Sequence, residues 1–106
     1  MFDQLEKVVQ RFNVLTEKMA DPALYDNKSE LKKVSEERGS LEDLVTAFII
    51  YKKTKDDIDG AKEILKNEKD EEMREMAKEE LSDLEKLIPD MEEELKILLL
   101  PKDPLD

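Results

Sequence analysis

Carboxylates are the side chains of this sequence that could do chemistry. Asp and Glu number 29 against 18 Lys and Arg, and there is neither histidine nor cysteine. Metal sites in helical bundles combine inward-facing acids with Glu-x-x-His pairs. Nucleophilic triads and thiol catalysis likewise need histidine or cysteine. We therefore predict no catalytic residue, no cofactor and no metal site, and we interpret the acids as solvated helix surface.

The stretch YKKTK is the one compact basic cluster, with lysines at positions 52, 53 and 55. Lysines on a solvent-facing helix surface usually pair with neighbouring acids, and this is the interpretation that we favour. The alternative is contact with a phosphate backbone.

The stretch AFII, residues 47–50, places three bulky apolar side chains in a row. Phe48 falls on the apolar seam of its helix, so Ile49 and Ile50 must point partly elsewhere. Such a patch needs cover, either from the first helix or from a partner. We expect cover from within the chain and keep the partner as the alternative. The candidate partner contacts are Lys52, Lys53, Lys55, Phe48, Ile49 and Ile50.

Apolar periodicity predicts the three helices that carry these residues, at about 2–20, 29–67 and 70–99. In the first, apolar residues at 5, 8, 12, 15 and 19 follow a heptad. In the second, Asn27 or Ser29 is the expected N-cap, Arg38 and Lys55 interrupt the apolar stripe, and two glycines lie inside. In the third, the seam continues beyond Pro89, which predicts a kink near that residue rather than a stop.

The predicted fold is all-α, an antiparallel three-helix bundle in which helices two and three form a long hairpin beside a shorter first helix. Met73, Met76 and Met91 lie on or beside the third seam. We expect them in the core, the alternative being an adaptable binding groove. Because the chain has 106 residues, we expect one domain, over residues 1–100. We predict that residues 101–106 are the start of a linker. The apolar block Ile97–Leu100 should be exposed, frayed or covered by another molecule.

Charge limits the partners. The net charge is −11, and residues 68–96 hold thirteen acids against five basic residues. We predict no strong nucleic-acid binding, because phosphate contact requires basic patches. No apolar stretch approaches a membrane span, and we expect a cytoplasmic protein. From the residues alone, this is a non-enzymatic acidic scaffold or coiled-coil interaction module, and homodimerisation stays open.

Three stretches closely resemble the N-terminal domain of bacterial class-I peptide chain release factors, of the type that reads UAA and UAG. They are MFDQLEKVVQRFNVLTEKMADP, YKKTKDDIDGAKEIL and EEMREMAKEELSDLEKLIPDMEEELKILLLPKDP. The resemblance implies a translation-termination protein whose first domain projects toward the stalk base of the large ribosomal subunit, where a translational GTPase also binds. It also implies that the stop-codon-reading tripeptide and the Gly-Gly-Gln loop lie in later domains. We therefore expect no release activity from these residues, and no functional residue can be transferred to them.

Overall fold

The computed structural model describes residues 1–101, which form three α-helices, one short 3₁₀-helix and no strand. Helix α1 spans Phe2–Ala20, the 3₁₀-helix Pro22–Asp26, α2 Lys28–Asn67 and α3 Glu71–Leu99. The prediction of an all-α fold is confirmed. Most of the predicted linker, residues 102–106, lies outside the described residues.

The chain divides into two compact units, Met1–Thr46 and Ala47–Asp106. Helix α2 contributes to both. The first unit contains α1 and the first part of α2, and the second contains the rest of α2 and α3. Helices joined by short connections pack mainly against their sequence neighbours, so contacts concentrate within each pair.

In the first unit, the predicted heptad of α1 is partly buried. Leu5 and Leu15 are 0% and 1% exposed, whereas Val8, Phe12 and Met19 are half-buried. Val34, on the first part of α2, is also buried. Apolar burial of this kind is the main favourable contribution to folding, at roughly 25 cal/mol per Å².

Arg38 does not interrupt the stripe as the sequence predicted. Its guanidinium lies 4.4 Å from the centroid of the Phe12 ring, a cation–π distance. Its Nε donates a hydrogen bond to Thr16 Oγ1 at 2.9 Å. Arginine can cover apolar surface while its head group stays hydrated, so the position tolerates a charge.

The helix boundaries follow from local chemistry. Helix α1 ends at Ala20 because Asp21 precedes proline and takes an extended conformation, with φ −80° and ψ 118°. Asn27 caps α2, since its Oδ1 accepts a hydrogen bond from the Glu30 N–H at 3.1 Å. The helix therefore begins at Lys28 and not at Ser29.

In the second unit, α2 and α3 run antiparallel. Tyr51 is 1% exposed, and its hydroxyl donates a hydrogen bond to Glu92 Oε2 at 3.1 Å. At the other end, the Arg74 guanidinium donates to the carbonyls of Leu65 and Glu68. The bond to Leu65 satisfies a backbone acceptor that the last turn of α2 would otherwise leave without a helical partner.

The buried stripe of α2 passes through Thr54 and leaves Lys55 exposed, which corrects the predicted interruption at Lys55. Thr54 can be buried because its hydroxyl donates to the Ile50 carbonyl at 2.9 Å. The stripe then continues through Ile58 and Ala61, both buried.

Helix α3 is continuous from Glu71 to Leu99 with Pro89 inside it, and the kink there stays a prediction. Asp70 caps its start by accepting a hydrogen bond from the Glu72 N–H at 3.2 Å. At its end, Ile97 and Leu100 are 59% and 65% exposed, while Leu98 and Leu99 are half-buried. The terminal apolar block is thus only partly covered, although the helix extends to Leu99.

Candidate partner-binding surface

The AFII stretch divides between core and solvent. Phe48 is 1% exposed and belongs to the core, whereas Ile49 and Ile50 are 57% and 52% exposed. The expectation that the chain covers the two isoleucines is therefore wrong. Successive residues on a helix lie about 100° apart, so one seam cannot bury three consecutive side chains.

The three lysines are all exposed, but their surroundings differ. Lys53 Nζ lies 3.3 Å from Asp57 Oδ1, an i,i+4 ion pair of the kind that the sequence favoured. Lys52 Nζ lies 5.2 Å from the centroid of the Phe48 ring. Lys55 borders a shallow cavity on the surface of the second unit, together with Lys62 and Glu85.

The six candidates therefore do not form one cluster. Ile49, Ile50 and Lys53 share one side of α2 through i,i+3 and i,i+4 spacing, and we call them the isoleucine patch. Lys52 follows the buried Phe48 by four residues and Lys55 follows Lys52 by three, so these two lysines lie beside Phe48 and outside the isoleucine patch. The two exposed isoleucines form an apolar contact surface that is bordered by the Lys53–Asp57 ion pair.

A second exposed apolar surface was misjudged from the sequence. Met73 and Met76 were expected in the core, yet they are 48% and 67% exposed. The core position in this turn of α3 belongs to Ala77, which is 3% exposed. The spacing could have predicted this exposure, because Ala77 is the seam position. Met73 lies four residues before Ala77, at the edge of the seam, and Met76 lies one residue before it, beside the seam.

The polar group inside the core of the second unit is Tyr51. Burial and the hydrogen bond to Glu92 both raise the pKa of Tyr51 above its ordinary value of 10.0. At neutral pH the hydroxyl therefore stays protonated and donates. This pair links α2 and α3 inside the core of the second unit.

Within residues 1–101, no group of three or more Asp, Glu, His or Cys side chains is arranged to hold a metal ion. None of the described helices is long and apolar enough to cross a membrane. Over the same part of the chain, the surface features that stand out are apolar patches beside charges, which suit contact with a macromolecule.

Comparison with known proteins relates the chain to translation factors. Residues 8–106 match the PCRF domain. The chain is 41% identical over all 106 residues to peptide chain release factor 1 of Clostridium acetobutylicum and 44% to that of Staphylococcus saprophyticus, covering 30% of each relative. It is 47% identical over 103 residues to peptide chain release factor 1 of Anaeromyxobacter dehalogenans, covering 97% of the chain and 28% of the relative.

No solved structure gives a significant match to the chain. The chain spans about 30% of the length of the curated relatives that it matches. A match over 99 of 106 residues is nevertheless nearly complete for this chain. On that match, the chain belongs to the PCRF domain family.

Proposed function

We propose that this chain acts as the N-terminal helical domain of a translation-termination factor and contributes ribosome contacts rather than chemistry. The observation that carries the proposal is the PCRF match over residues 8–106, together with 41–47% identity to three bacterial release factors. Translation takes place in the cytoplasm of bacteria, so this is the location that we propose.

We further propose that these residues neither read stop codons nor hydrolyse peptidyl-tRNA. The two glycines, Gly39 and Gly60, are far apart in the sequence, so the chain contains no Gly-Gly-Gln. It also has no histidine or cysteine that could serve as a base or nucleophile. These sequence facts support a binding role.

The proposed partners are proteins of the stalk base of the large subunit and a translational GTPase. A net charge of −11 repels RNA phosphates and favours a protein contact. The isoleucine patch is the proposed contact, because its two isoleucines are more than half exposed. The neighbouring lysines are the proposed RNA contact, if the domain makes one.

A chimera tests the proposed role. Residues 1–106 replace the matched segment in one of the factors that the chain resembles, and peptide release is measured on ribosomes paused at UAA. We expect the chimera to release peptide, and the isolated chain to release none. A folded chimera without release activity, or release by the isolated chain, would contradict the proposal.

Variants of the chimera test the surface. Ile49→Asp with Ile50→Asp should weaken ribosome binding about tenfold or more, because two apolar contacts are lost. Leu87→Asp, at an α3 residue that is 47% exposed, is the matched control and should bind normally. Reversing the charges of Lys52, Lys53 and Lys55 tests the RNA contact, and unchanged binding at low salt would exclude it.

A further inference from the structure

A small apolar groove lies on the surface of the second unit, near the turn between α2 and α3. It is lined by Ile64 of α2, by Met73, Met76 and Ala77 of α3, and by Glu80 at its edge. We call it the methionine groove. Its volume is about 190 Å³, somewhat more than the roughly 150 Å³ engineered cavity that binds benzene. The groove therefore has room for one large apolar side chain.

The walls of the methionine groove are unusually exposed for apolar residues. Ile64, Met73 and Met76 are 38%, 48% and 67% exposed, whereas the floor residue Ala77 is buried. Methionine side chains are unbranched and polarizable, so they adapt to differently shaped partners. The three exposed apolar side chains around the groove offer a binding partner an apolar surface.

Charge beside the groove identifies the kind of molecule. Met76 also borders a strip of α3 that carries Glu72, Glu75, Glu79 and Asp83 with Lys78 and Lys86. Together with Glu80 at the edge of the groove, the acids outnumber the lysines by five to two. The methionine groove is thus apolar inside and acidic along one side.

This combination argues against three classes of occupant. Nucleic acid and anionic membranes carry negative charge and would be repelled by the acidic strip. A second copy of the chain has a net charge of −11 and would place acids against acids. A protein segment with basic residues beside an apolar anchor complements both features.

We propose that the methionine groove is a docking site for a basic amphipathic helix of a partner protein. One large apolar side chain of that helix enters the groove between Ile64 and Met76. Lysines and arginines beside it face Glu72, Glu75 and Glu79. The proposal concerns a surface distinct from the isoleucine patch and does not depend on the proposed role in termination.

Labelled helical peptides of about four turns test the proposal by fluorescence anisotropy with the 106-residue chain. The first probe carries leucines at i, i+3, i+4 and i+7 and lysines or arginines elsewhere. The second keeps the leucines but replaces the basic residues with glutamate. The third keeps the basic residues in a scrambled order without an apolar face. We expect saturable binding of the first probe and at least about tenfold weaker binding of the other two.

Variants of the chain locate the site. The double variant Met73→Gln with Met76→Gln should bind the first probe at least about tenfold more weakly. The groove loses apolar surface in this variant, while the fold keeps its core. Leu87→Gln is the matched control, since Leu87 is an exposed apolar residue of the same helix outside the groove. Its affinity for the first probe should stay within about twofold of that of the unchanged chain. Circular dichroism verifies that each variant is folded.

A second pair of variants separates charge from shape. A triple variant removes three charges from the acidic strip beside the groove, by Glu72→Gln, Glu75→Gln and Glu79→Gln. It should bind the first probe more weakly, and this binding should depend less on salt. Removing three acids elsewhere on α3, by Asp90→Asn, Glu93→Gln and Glu94→Gln, should weaken it less. Equal losses would show attraction to net charge alone and overturn the proposal. It is also overturned if the methionine variants bind normally, if no probe binds, or if sedimentation shows a dimer that the methionine variants dissociate.

Discussion

At the scale of single residues, the contact between Tyr51 and Glu92 matters most for the second unit. Its hydrogen bond links side chains of α2 and α3 at a fully buried ring. A buried hydroxyl without a partner would cost about 1–3 kcal/mol. Glu92 removes that cost, and it also makes the stability of the unit sensitive to alkaline pH.

Tyrosinate absorbance should show a pKa for Tyr51 above 10.0, because burial and Glu92 both disfavour the anion. The chain has two tyrosines, so Tyr25→Phe leaves Tyr51 as the sole reporter. Since the folded pKa exceeds the unfolded one, the stabilisation is complete below pH 10 and is lost as pH rises through the folded pKa. Glu92→Gln should lower the pKa of Tyr51, and an unchanged pKa would show that burial alone causes the shift.

Glu37 makes the stability of the first unit depend on pH in the acid range. Arg11 Nε and Nη2 donate to its two carboxylate oxygens at 2.6 and 2.7 Å, and this hydrogen bonding lowers the pKa of Glu37 below its ordinary value of 4.5. The contribution of the pair is therefore complete above pH 4.5 and is lost as pH falls through the folded pKa. Because both side chains are exposed, the effect on stability should be small.

Nuclear magnetic resonance titration measures the pKa of Glu37 directly. Arg11→Gln should return it toward 4.5, because the bidentate donor is lost. Lys7→Gln removes the same charge from α1 at a residue that does not contact Glu37, and should leave the pKa nearly unchanged. If both variants raised it equally, the cause would be general charge and not the hydrogen bonds.

At the scale of elements, α2 is a 40-residue helix that contains two glycines. Neither Gly39 nor Gly60 has a positive φ, and a Cβ at either would meet nothing within 4 Å. The helix therefore runs through both without needing glycine's conformational freedom. Each glycine costs roughly 1 kcal/mol of helix stability relative to alanine.

Gly39→Ala and Gly60→Ala should each raise the free energy of unfolding by about 1 kcal/mol, as measured by urea denaturation. The gains should add in the double variant, because the positions lie about six turns apart on the helix. A loss of stability at either position would show that something approaches the backbone there more closely than the described contacts indicate.

At the scale of the whole molecule, charge is the dominant feature. A net charge of −11 on 106 residues means that acids repel one another on the surface of the folded chain. Salt shortens the Debye length from about 10 Å at 0.1 M to about 3 Å at 1 M. Ionic strength should therefore stabilise the chain, although it weakens exposed ion pairs such as Lys53–Asp57.

The melting temperature should rise as sodium chloride increases from about 20 mM to about 500 mM, because repulsion among the acids is screened. Circular dichroism measures the effect. A triple variant changes the net charge from −11 to −8 by Asp90→Asn, Glu93→Gln and Glu94→Gln. Its melting temperature should rise less with salt. A melting temperature that falls with salt in both proteins would show that the ion pairs outweigh the repulsion.

Prediction from sequence succeeded where the cause was local. Asn27, one of the two residues expected to cap α2, does so, because a side-chain oxygen can reach only the N–H groups of the next few residues. Burial of Leu5, Leu15 and Phe48 followed from apolar periodicity. Lys53 pairs with Asp57 because residues four apart are neighbours on any helix.

Prediction failed at the edges of the seams. Ile49, Ile50, Met73 and Met76 were all expected to be covered, and all four are substantially exposed. Lys55 was placed in the stripe, yet it lies in solvent. These residues lie beside a seam, where a small rotation of the helix changes a side chain from buried to exposed.

The sequence by itself determined the class of fold, the three helices, their caps and the absence of histidine and cysteine chemistry, since these depend on composition and on contacts within a few residues. The tertiary structure alone decided which flank of each seam is covered. It thereby separated the isoleucine patch from the other lysines and left the methionine groove open. The physical reason is that periodicity places a residue around the axis of its own helix, whereas its burial depends on the helix packed against it.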